Sequence, residues 1–473
     1  MVDTDRTAQP TRTAADLDGP KPVPLLGNLP EFTRGRVTHR VLERWCDEYG
    51  LTYRFHLARH RVVVTADPKV LDVVMRKRPD DFRRSGLMAG VLDEIIPTGV
   101  FTAEGDQWRR LRKMATQSLN VAYLRQYFTT ITQVTERLTR LWDRAADSGE
   151  SIDVLDQMMR YTLDVTVALA MGHDLNGLET TGEGLHSRLP KLFPEFARRI
   201  EAPFPYWRYV RLPRDRRLDA TVREIEAVVR ERFVEARARV ASGADPANFL
   251  EALVKPLEDE PAFTDDEVFG NMMHMLLGGE DTTSSTAAWT LHYLAEHPDV
   301  HRKVRAEADE VLGDRKFPAD PAMVGRLKYA EAVVNEVQRL RPVAPYLVMQ
   351  PLKDVTLDTR DGRLHLPALT VLFVLIAYGA RRDQVRFPEP ETFRPERWLD
   401  GSMPPESLPY TPFGNGPRFC PGRNLAMIEA TMLASVLARG FDLEPDRSAG
   451  EVGEYMTFTA FPTNVAVRVR RRG

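Results

Sequence analysis

Cys420 is the residue of this 473-residue chain best placed to do chemistry. It lies near the end of the segment Phe413-Gly414-Asn415-Gly416-Pro417-Arg418-Phe419-Cys420-Pro421-Gly422, and an amphipathic pattern, RNLAMIEATMLASVLA, follows. Pro421 suits the first position of that helix, which puts Cys420 at its N-cap. Exposed N–H groups and the positive end of the helix dipole favour a thiolate there. Gly414, Gly416 and Gly422 let backbone approach the sulfur and hydrogen-bond to it, which tunes a bound metal. Arg418 can face an anionic group, and Phe413 and Phe419 would keep water off the sulfur. The competing reading of a lone cysteine is a small core hydrophobe. A dinucleotide loop would need a third glycine where Phe419 stands, and zinc would need further ligands nearby.

A second chemical segment sits inside a long helical pattern. Thr264-Asp265-Asp266-Glu267 reads as a capping box, and the pattern runs to His297, where Pro298 ends it. Such a helix spans about 50 Å. Its centre is GGEDTTSS, Gly278–Ser285. Paired glycines in a helix cost about 1 kcal/mol each relative to Ala, so they imply a structural or chemical reason. The plainer reading of its alcohols is a hydrogen bond to a carbonyl one turn back. Two further pairs share helix faces by their spacing: Glu336 with Arg339, and Trp108 with Arg112.

In combination these segments resemble the cytochrome P-450 family over about residues 20–473. Phe413, Gly416, Arg418, Cys420 and Gly422 match its haem-binding signature. The resemblance implies haem b as cofactor, with Cys420 as the proximal thiolate that pushes electron density onto iron. Gly278–Thr283 resembles the family's oxygen-activation motif; by that match Thr282 lines the dioxygen site and Asp281 feeds it protons. Glu336 and Arg339 with Arg397 of the later PERW segment match a structural lock that holds the cysteine loop. Trp108 and Arg112 match a pair that binds a haem propionate, and Arg418, Phe413 and Gly422 complete the cofactor contacts. The implied fold is a single domain, mainly α with a small mixed β region, a triangular helical prism around haem. Family topology would place Leu87, Val91, Met275, Gly278, Val343, Tyr346 and Phe458 around the substrate. The chain departs from its relatives at Met349-Gln350, where many carry an Arg, and at Ala368-Leu369, where Lys-Gly is usual.

The elements that must position these residues read as follows. Residues 1–19 look like a disordered tail and 20–473 like the oxygenase domain. Short strands are expected at Thr52–Leu57, Arg61–Thr65, Asp354–Leu357, Arg363–Leu366 and Thr370–Ile376. A final hairpin, Tyr455–Val469, is expected to turn at Phe461-Pro462-Thr463. From Trp108 to Glu310 the pattern is mostly helical, and Asp67-Pro68 starts an earlier helix.

Composition excludes several classes. Lys plus Arg total 65 against 68 Asp plus Glu, a net charge of -3, which argues against nucleic-acid binding. Two cysteines, Cys46 and Cys420, imply no disulfide framework and suit a reducing compartment. The longest apolar run, near Val371–Ala377, is far short of the about 20 residues of a spanning helix. No signal peptide is read at the start, so a soluble, cytoplasmic protein is expected, and it is taken to be a monomer.

Apolar side chains at the expected substrate positions point to a lipophilic substrate. Neither a flavin or nicotinamide fingerprint nor a cysteine set for an iron–sulfur cluster is present, so separate redox partners are implied, a ferredoxin or flavodoxin with its reductase. Arg109, Arg110, Lys113 and Arg423 would offer them a basic face. Aromatics and arginines interleave in Phe204–Arg217, a surface loop with the option of lipid contact. His292, His297 and His301 read as surface histidines. The expected reaction is insertion of one oxygen atom from O2. Its rivals are a peroxide-driven peroxygenase, which lacks the acid–alcohol pair, and a non-catalytic haem sensor or carrier.

Overall fold

The computed structural model describes residues 11–180, 184–202, 204–254, 263–401 and 411–472. They form two compact units, each assembled from separate stretches of the chain.

The first unit takes described residues from 11–90, 344–392 and 411–420. Its β-branched and aromatic stretches become strands: β1 (Thr11–Thr13), β2 (Thr52–Leu57), β3 (His60–Thr65), β4 (Phe82–Arg84), β5 (Leu347–Pro351), β6 (Val355–Thr359), β7 (Gly362–Leu366) and β8 (Leu372–Val374). They pair as a five-stranded sheet, β2-β3-β8-β5-β4, and a three-stranded sheet, β1-β7-β6. Helix α1 (Thr38–Tyr49) packs Leu42 and Trp45 with Phe55 and Phe373. Helix α2 (Pro68–Arg76) starts on Asp67, whose side chain accepts from Lys69 N at 2.9 Å, with Pro68 at its first turn. It buries Val70, Leu71, Val74 and Met75, a stripe three to four residues apart.

Two expectations change here. Thr11–Thr13 pairs in parallel with β7, and Leu17 is buried. Residues 11–19 therefore belong to the sheet and its core rather than to a tail; residues 1–10 lie outside the described residues. At Ala368-Leu369 the turn keeps the geometry a glycine would supply, because Leu369 takes a φ of 63°, and Leu369 N donates to the Pro351 carbonyl. Gln350, in the position of the absent arginine, accepts from Gly86 N at 2.9 Å and donates to the Leu369 carbonyl at 3.0 Å.

Helix α3 spans Gly86–Asp93. The second unit contains α4 (Gly105–Ser118), α5 (Phe128–Ser148), α6 (Val154–Met171), α7 (Leu192–Glu201), α8 (Pro213–Ala241), α9 (Asp265–Glu296), α10 (Pro298–Leu312), α11 (Lys328–Leu340) and α12 (Arg423–Gly440). Helix α9, 32 residues long, measures about 48 Å. The expected capping box is formed: Glu267 N reaches Thr264 Oγ1 at 3.2 Å and Thr264 N reaches Glu267 Oε2 at 2.9 Å. Around it, Leu138 and Trp142 of α5, Met158 and Val165 of α6, Val304 of α10, Val333 of α11 and Leu437 of α12 join Leu291 and Leu294 in one apolar core. Helix α6 lies against Gly279, where an added Cβ would stand 2.6 Å from Thr166 Oγ1. That close approach is one reason for a glycine in mid-helix.

The final hairpin forms with a different register. Strands β9 (Phe441–Pro445), β10 (Gly453–Met456), β11 (Ala460–Thr463) and β12 (Ala466–Arg471) follow in order. β10 pairs with β11, so the turn is Thr457-Phe458-Thr459, and Phe461-Pro462-Thr463 lies within a strand. β12 pairs instead with β9 and with the short strand Ile152–Asp153. The histidines are also more enclosed than expected. His301 is buried and His292 half-buried, and burial pushes each imidazole down to about 4.

Replacing Leu291 by Ala should lower the unfolding free energy by about 2–5 kcal/mol, whereas Val385→Ala at an exposed site should stay within about 0.5 kcal/mol. Denaturant midpoints of the two variants would check this.

Candidate active site

Each cysteine sits in a different setting. Cys46 is buried in the core of the first unit, and burial pushes its thiol up to about 12, so it stays protonated and inert. Cys420 is half-buried at the end of a turn-rich loop. Its N–H donates to the Phe413 carbonyl across the loop at 2.8 Å. Gly414 and Gly416 hold φ values of 73° and 70°, and a Cβ on Gly416 would lie 2.4 Å from the Met75 carbonyl oxygen. The loop is thus laid directly on the last turn of α2, which requires glycine at that point. One expectation is corrected. Helix α12 begins at Arg423 with Gly422 as N-cap, so Cys420 stands two residues before the cap; Pro421 and Gly422 form a turn rather than the first helical turn. Phe413 is half-buried, and Phe419 is 43% exposed.

In the second unit, α9 is buried along most of its length but open on one line. Met275 and Thr282 are half-buried, and Gly278 is exposed with open space where a Cβ would point. Positions 275, 278 and 282 share a helix face. The Thr282 hydroxyl donates to the Gly278 carbonyl at 2.8 Å. The back-bonding alternative is therefore present, and it has a chemical result: with its proton committed, the hydroxyl oxygen is left to accept. Asp281 points elsewhere and is buried. Thr459 donates to its Oδ2 at 3.4 Å, and burial pushes the carboxyl up to about 7. Nothing in the sequence pattern singles out Thr459, because the expected hairpin turn lies two residues further on.

The loop before α4 is tied to α9 by polar residues that none of the sequence motifs includes. Asn271 Oδ1 accepts from Val100 N at 2.7 Å, and His274 Nδ1 from Phe101 N at 3.3 Å. Both stand out as polar residues inside the apolar run VFGNMMHMLL, which is the signal that could have found them. Ring contacts then link Phe101 to Phe458 and Phe458 to Phe193 of α7, with centroids 5.6 and 5.8 Å apart. Val343 joins them through the bond from Ala460 N to its carbonyl at 2.9 Å. Of the other expected pocket residues, Val91 is buried and Leu87 is 63% exposed. Tyr346 is placed differently: its ring packs on Phe373 and its hydroxyl meets Thr38 at 3.1 Å, within the first unit.

Glu336, Arg339 and Arg397 come together as expected, all fully buried. Glu336 accepts from Arg339 Nε and Nη2 at 2.8 Å each, from Arg397 Nε at 2.9 Å and from Arg394 N at 3.0 Å. It also accepts from Trp398 Nε1 at 2.9 Å. Trp398 belongs to the PERW segment, yet the motif alone does not disclose this bond. Every oxygen lone pair of Glu336 is used, which is the condition under which a buried charge cluster is tolerable. Trp108 and Arg112 lie buried on one face of α4. On the same helix Arg109 pairs with Asp106 at 2.6 Å and Arg110 with Glu267 at 3.4 Å, so the basic face is partly neutralised. Among the described residues no cluster of three or more His, Cys, Asp or Glu could hold a bare metal ion, and no helix is long and apolar enough to cross a membrane.

A family model for cytochrome P450 matches residues 17–463. The chain is similar to cytochrome P450 3A15 of Cavia porcellus, 26% identical over 451 residues, with 91% of this chain and 86% of that protein covered. It is similar also to the mitochondrial 25-hydroxyvitamin D-1 alpha hydroxylase of Homo sapiens, 29% identical over 475 residues, covering 93% and 89%. A self-sufficient cytochrome P450 monooxygenase, CYP505E3 of Phanerodontia chrysosporium, is 26% identical over 462 residues; 96% of this chain is covered but 42% of that protein.

Glu336→Ala would remove the carboxylate that Arg339 and Arg397 both bond in the core and should cost about 3–5 kcal/mol, seen as a lower denaturant midpoint. Asp281 gives a pH signature. Its folded value, about 7, lies above the ordinary 3.8, so between the two the native state holds a proton that the unfolded chain has released. Stability falls as pH rises through that window. Asp281→Asn removes the effect, and its Tm relative to the parent should rise from about pH 5 to about pH 8.

Proposed function

From its membership of the cytochrome P450 family, to which this chain belongs, we propose that Cys420 is the thiolate ligand of haem b and that the protein inserts one oxygen atom from O2 into a lipophilic organic substrate. Proteins of this family are monooxygenases that depend on redox partners. The observation that carries the reading is the open line Met275–Gly278–Thr282 on the otherwise enclosed α9, with a buried carboxyl one residue before Thr282.

The residues present fit the cofactor. A half-buried cysteine ends a glycine loop, Arg112 is buried on α4, and the gap in side chains at Gly278 leaves room beside α9. Cys420 would hold the iron, and Arg112, Trp108 and Arg418 the propionates, with Phe413 and Gly422 shaping the loop. When bound, haem b supplies the redox chemistry that activates dioxygen. The protein's own part is proton supply and exclusion of water. Overall, substrate RH, O2, two electrons and two protons give ROH and water. Thr282, its hydrogen already given to Gly278, accepts a hydrogen bond at the oxygen site. Asp281, held near neutrality, can both keep and release a proton at working pH, as a general acid requires.

Leu87, Val91, Met275, Val343, Tyr346 and Phe458 are assigned to the substrate region, with Phe101 and Phe193 added by their ring contacts with Phe458. Of these, Leu87 is exposed and Tyr346 is engaged by Phe373 and Thr38. Electrons are proposed to come from an acidic ferredoxin or flavodoxin docking near Lys113 and Arg423, in the cytoplasm.

Reduction under carbon monoxide tests the central assignment: the parent should show the red-shifted Soret band of a thiolate-ligated haem, and Cys420→Ala should lack it. A parent without that band sinks the proposal. Thr282→Ala should consume reducing equivalents while releasing peroxide in place of product. Unchanged coupling in that variant would remove Thr282 from the oxygen site.

A further inference from the structure

The turn between α7 and α8 gathers four exposed large apolar side chains between residues 204 and 212. Phe204 is 60% exposed, Tyr209 81%, Val210 59% and Leu212 40%. Arginines are interleaved with them and follow them. Arg208, Arg211, Arg214, Arg216 and Arg217 are all exposed, while Asp215, the one acid of the segment 204–217, is buried. The turn is anchored from beneath. Trp207 is buried and its Nε1 donates to Glu94 at 2.7 Å, with the Arg199 guanidinium 5.2 Å over its ring. Tyr209 N and Val210 N both donate to the Tyr206 carbonyl at 2.9 Å. Asp215 accepts from Leu212 N at 3.1 Å and from Arg198 Nη2 at 2.6 Å. Buried anchors thus hold apolar tips out in water.

Clustered apolar tips fixed in this way mark a contact surface, and the charge around them says what covers it. Arg208 is paired with Glu94, Arg211 with Asp219 at 2.9 Å and Arg214 with Glu195 at 3.4 Å. Arg216 and Arg217 meet no acid among the described residues, so the surface is positive beside its apolar tips. A second copy across a two-fold axis would set arginine against arginine. Nucleic acid would meet the arginines and leave Val210 and Leu212 in water. A stable protein interface uses about 20 residues or more on each side, against four apolar tips here. An anionic bilayer suits both features: apolar tips enter the headgroup boundary, and arginines lay their stems along it and reach the phosphates. We propose that the turn 204–217 is a peripheral docking site for anionic lipid surfaces. Tyr209, Val210 and Leu212 insert, and Arg216 and Arg217 supply the attraction. Binding through so few groups is weak and reversible, and it needs no step of the oxygen chemistry.

Co-sedimentation of the haem-loaded full chain with vesicles tests this, using phosphatidylcholine alone and phosphatidylcholine mixed with phosphatidylserine. The parent should partition several-fold more strongly to the mixed vesicles, and the difference should shrink as salt is raised. Arg216→Gln with Arg217→Gln should weaken binding to the mixed vesicles about tenfold and flatten its salt dependence. Tyr209→Ser with Val210→Ser should weaken it at every salt concentration, including those where charge is screened. Val234→Ser, at an apolar site 67% exposed farther along α8, should bind as the parent does. All these substitutions lie at exposed positions, and an unchanged circular dichroism spectrum shows that each loss of binding is read on folded protein. Equal binding to both kinds of vesicle, or none to either, overturns the assignment, as does a Tyr209→Ser/Val210→Ser variant that binds like the parent. A concentration-dependent dimer of the parent that is lost in that double variant also overturns it, because a second copy would then be the occupant.

Discussion

The burial of α9 on most of its circumference constrains everything packed around it. A helix enclosed in this way has almost no solvent to satisfy polar side chains, so each polar residue on it must find a partner from a neighbouring element or stay uncharged. Asn271 and His274 meet the loop before α4, Thr282, Thr286 and Thr290 turn back on their own helix, and Asp281 meets Thr459. The loop and the hairpin are located by these polar demands as much as by apolar packing. Glycine at 279 follows from the same constraint, since α6 could not approach a larger residue there.

Charge is handled differently at the Glu336 cluster. There the chain concentrates one carboxylate and two guanidinium groups in the core and saturates the carboxylate with donors from α11 and from the PERW segment. Removing any one member leaves a buried charge, so the cluster fixes the path of Phe393–Trp398 on α11 more strictly than apolar contacts could. Asp281 and Glu280 show the other solution, a carboxyl kept neutral by burial. The same fold therefore keeps one carboxylate charged by saturating it with donors and pushes the titration of two others up by burying them away from cations.

Much of this is legible in the residues. The caps at Asp67 and Thr264, the extent of α9, the shared face of Glu336 and Arg339, and five of the eight strands of the first unit follow from local patterns that tertiary contacts reinforce, whereas Arg397 enters only through the family resemblance. What is not legible depends on register or on distant chain. Pairing of Gly453–Met456 with Ala460–Thr463 moves the hairpin turn from Phe461–Thr463 to Thr457–Thr459, a change the pattern does not disclose because an even shift changes no alternation of side chains. Residues 11–19 are polar enough to pass for a tail, and only the exposed edge of β7, contributed from residue 362 onward, gives them a strand to join. The turn after Cys420 reads as a helix start because Pro is as suited to a turn as to a first helical position. Tyr346 looks like a pocket residue by its neighbours in sequence, whereas its hydroxyl is held by Thr38.

The hairpin turn couples two contacts through consecutive residues: the Phe458 ring lies against Phe101 and Phe193, and the Thr459 hydroxyl lies on Asp281. Lengthening or shortening that turn to reshape the space beside Phe458 would carry Thr459 off the acid at the same stroke. Change in this part of the molecule is thereby channelled into the loop before α4 and into α7, where side chains can vary without re-registering the hairpin, and the turn itself becomes the part of the aromatic cluster least free to drift.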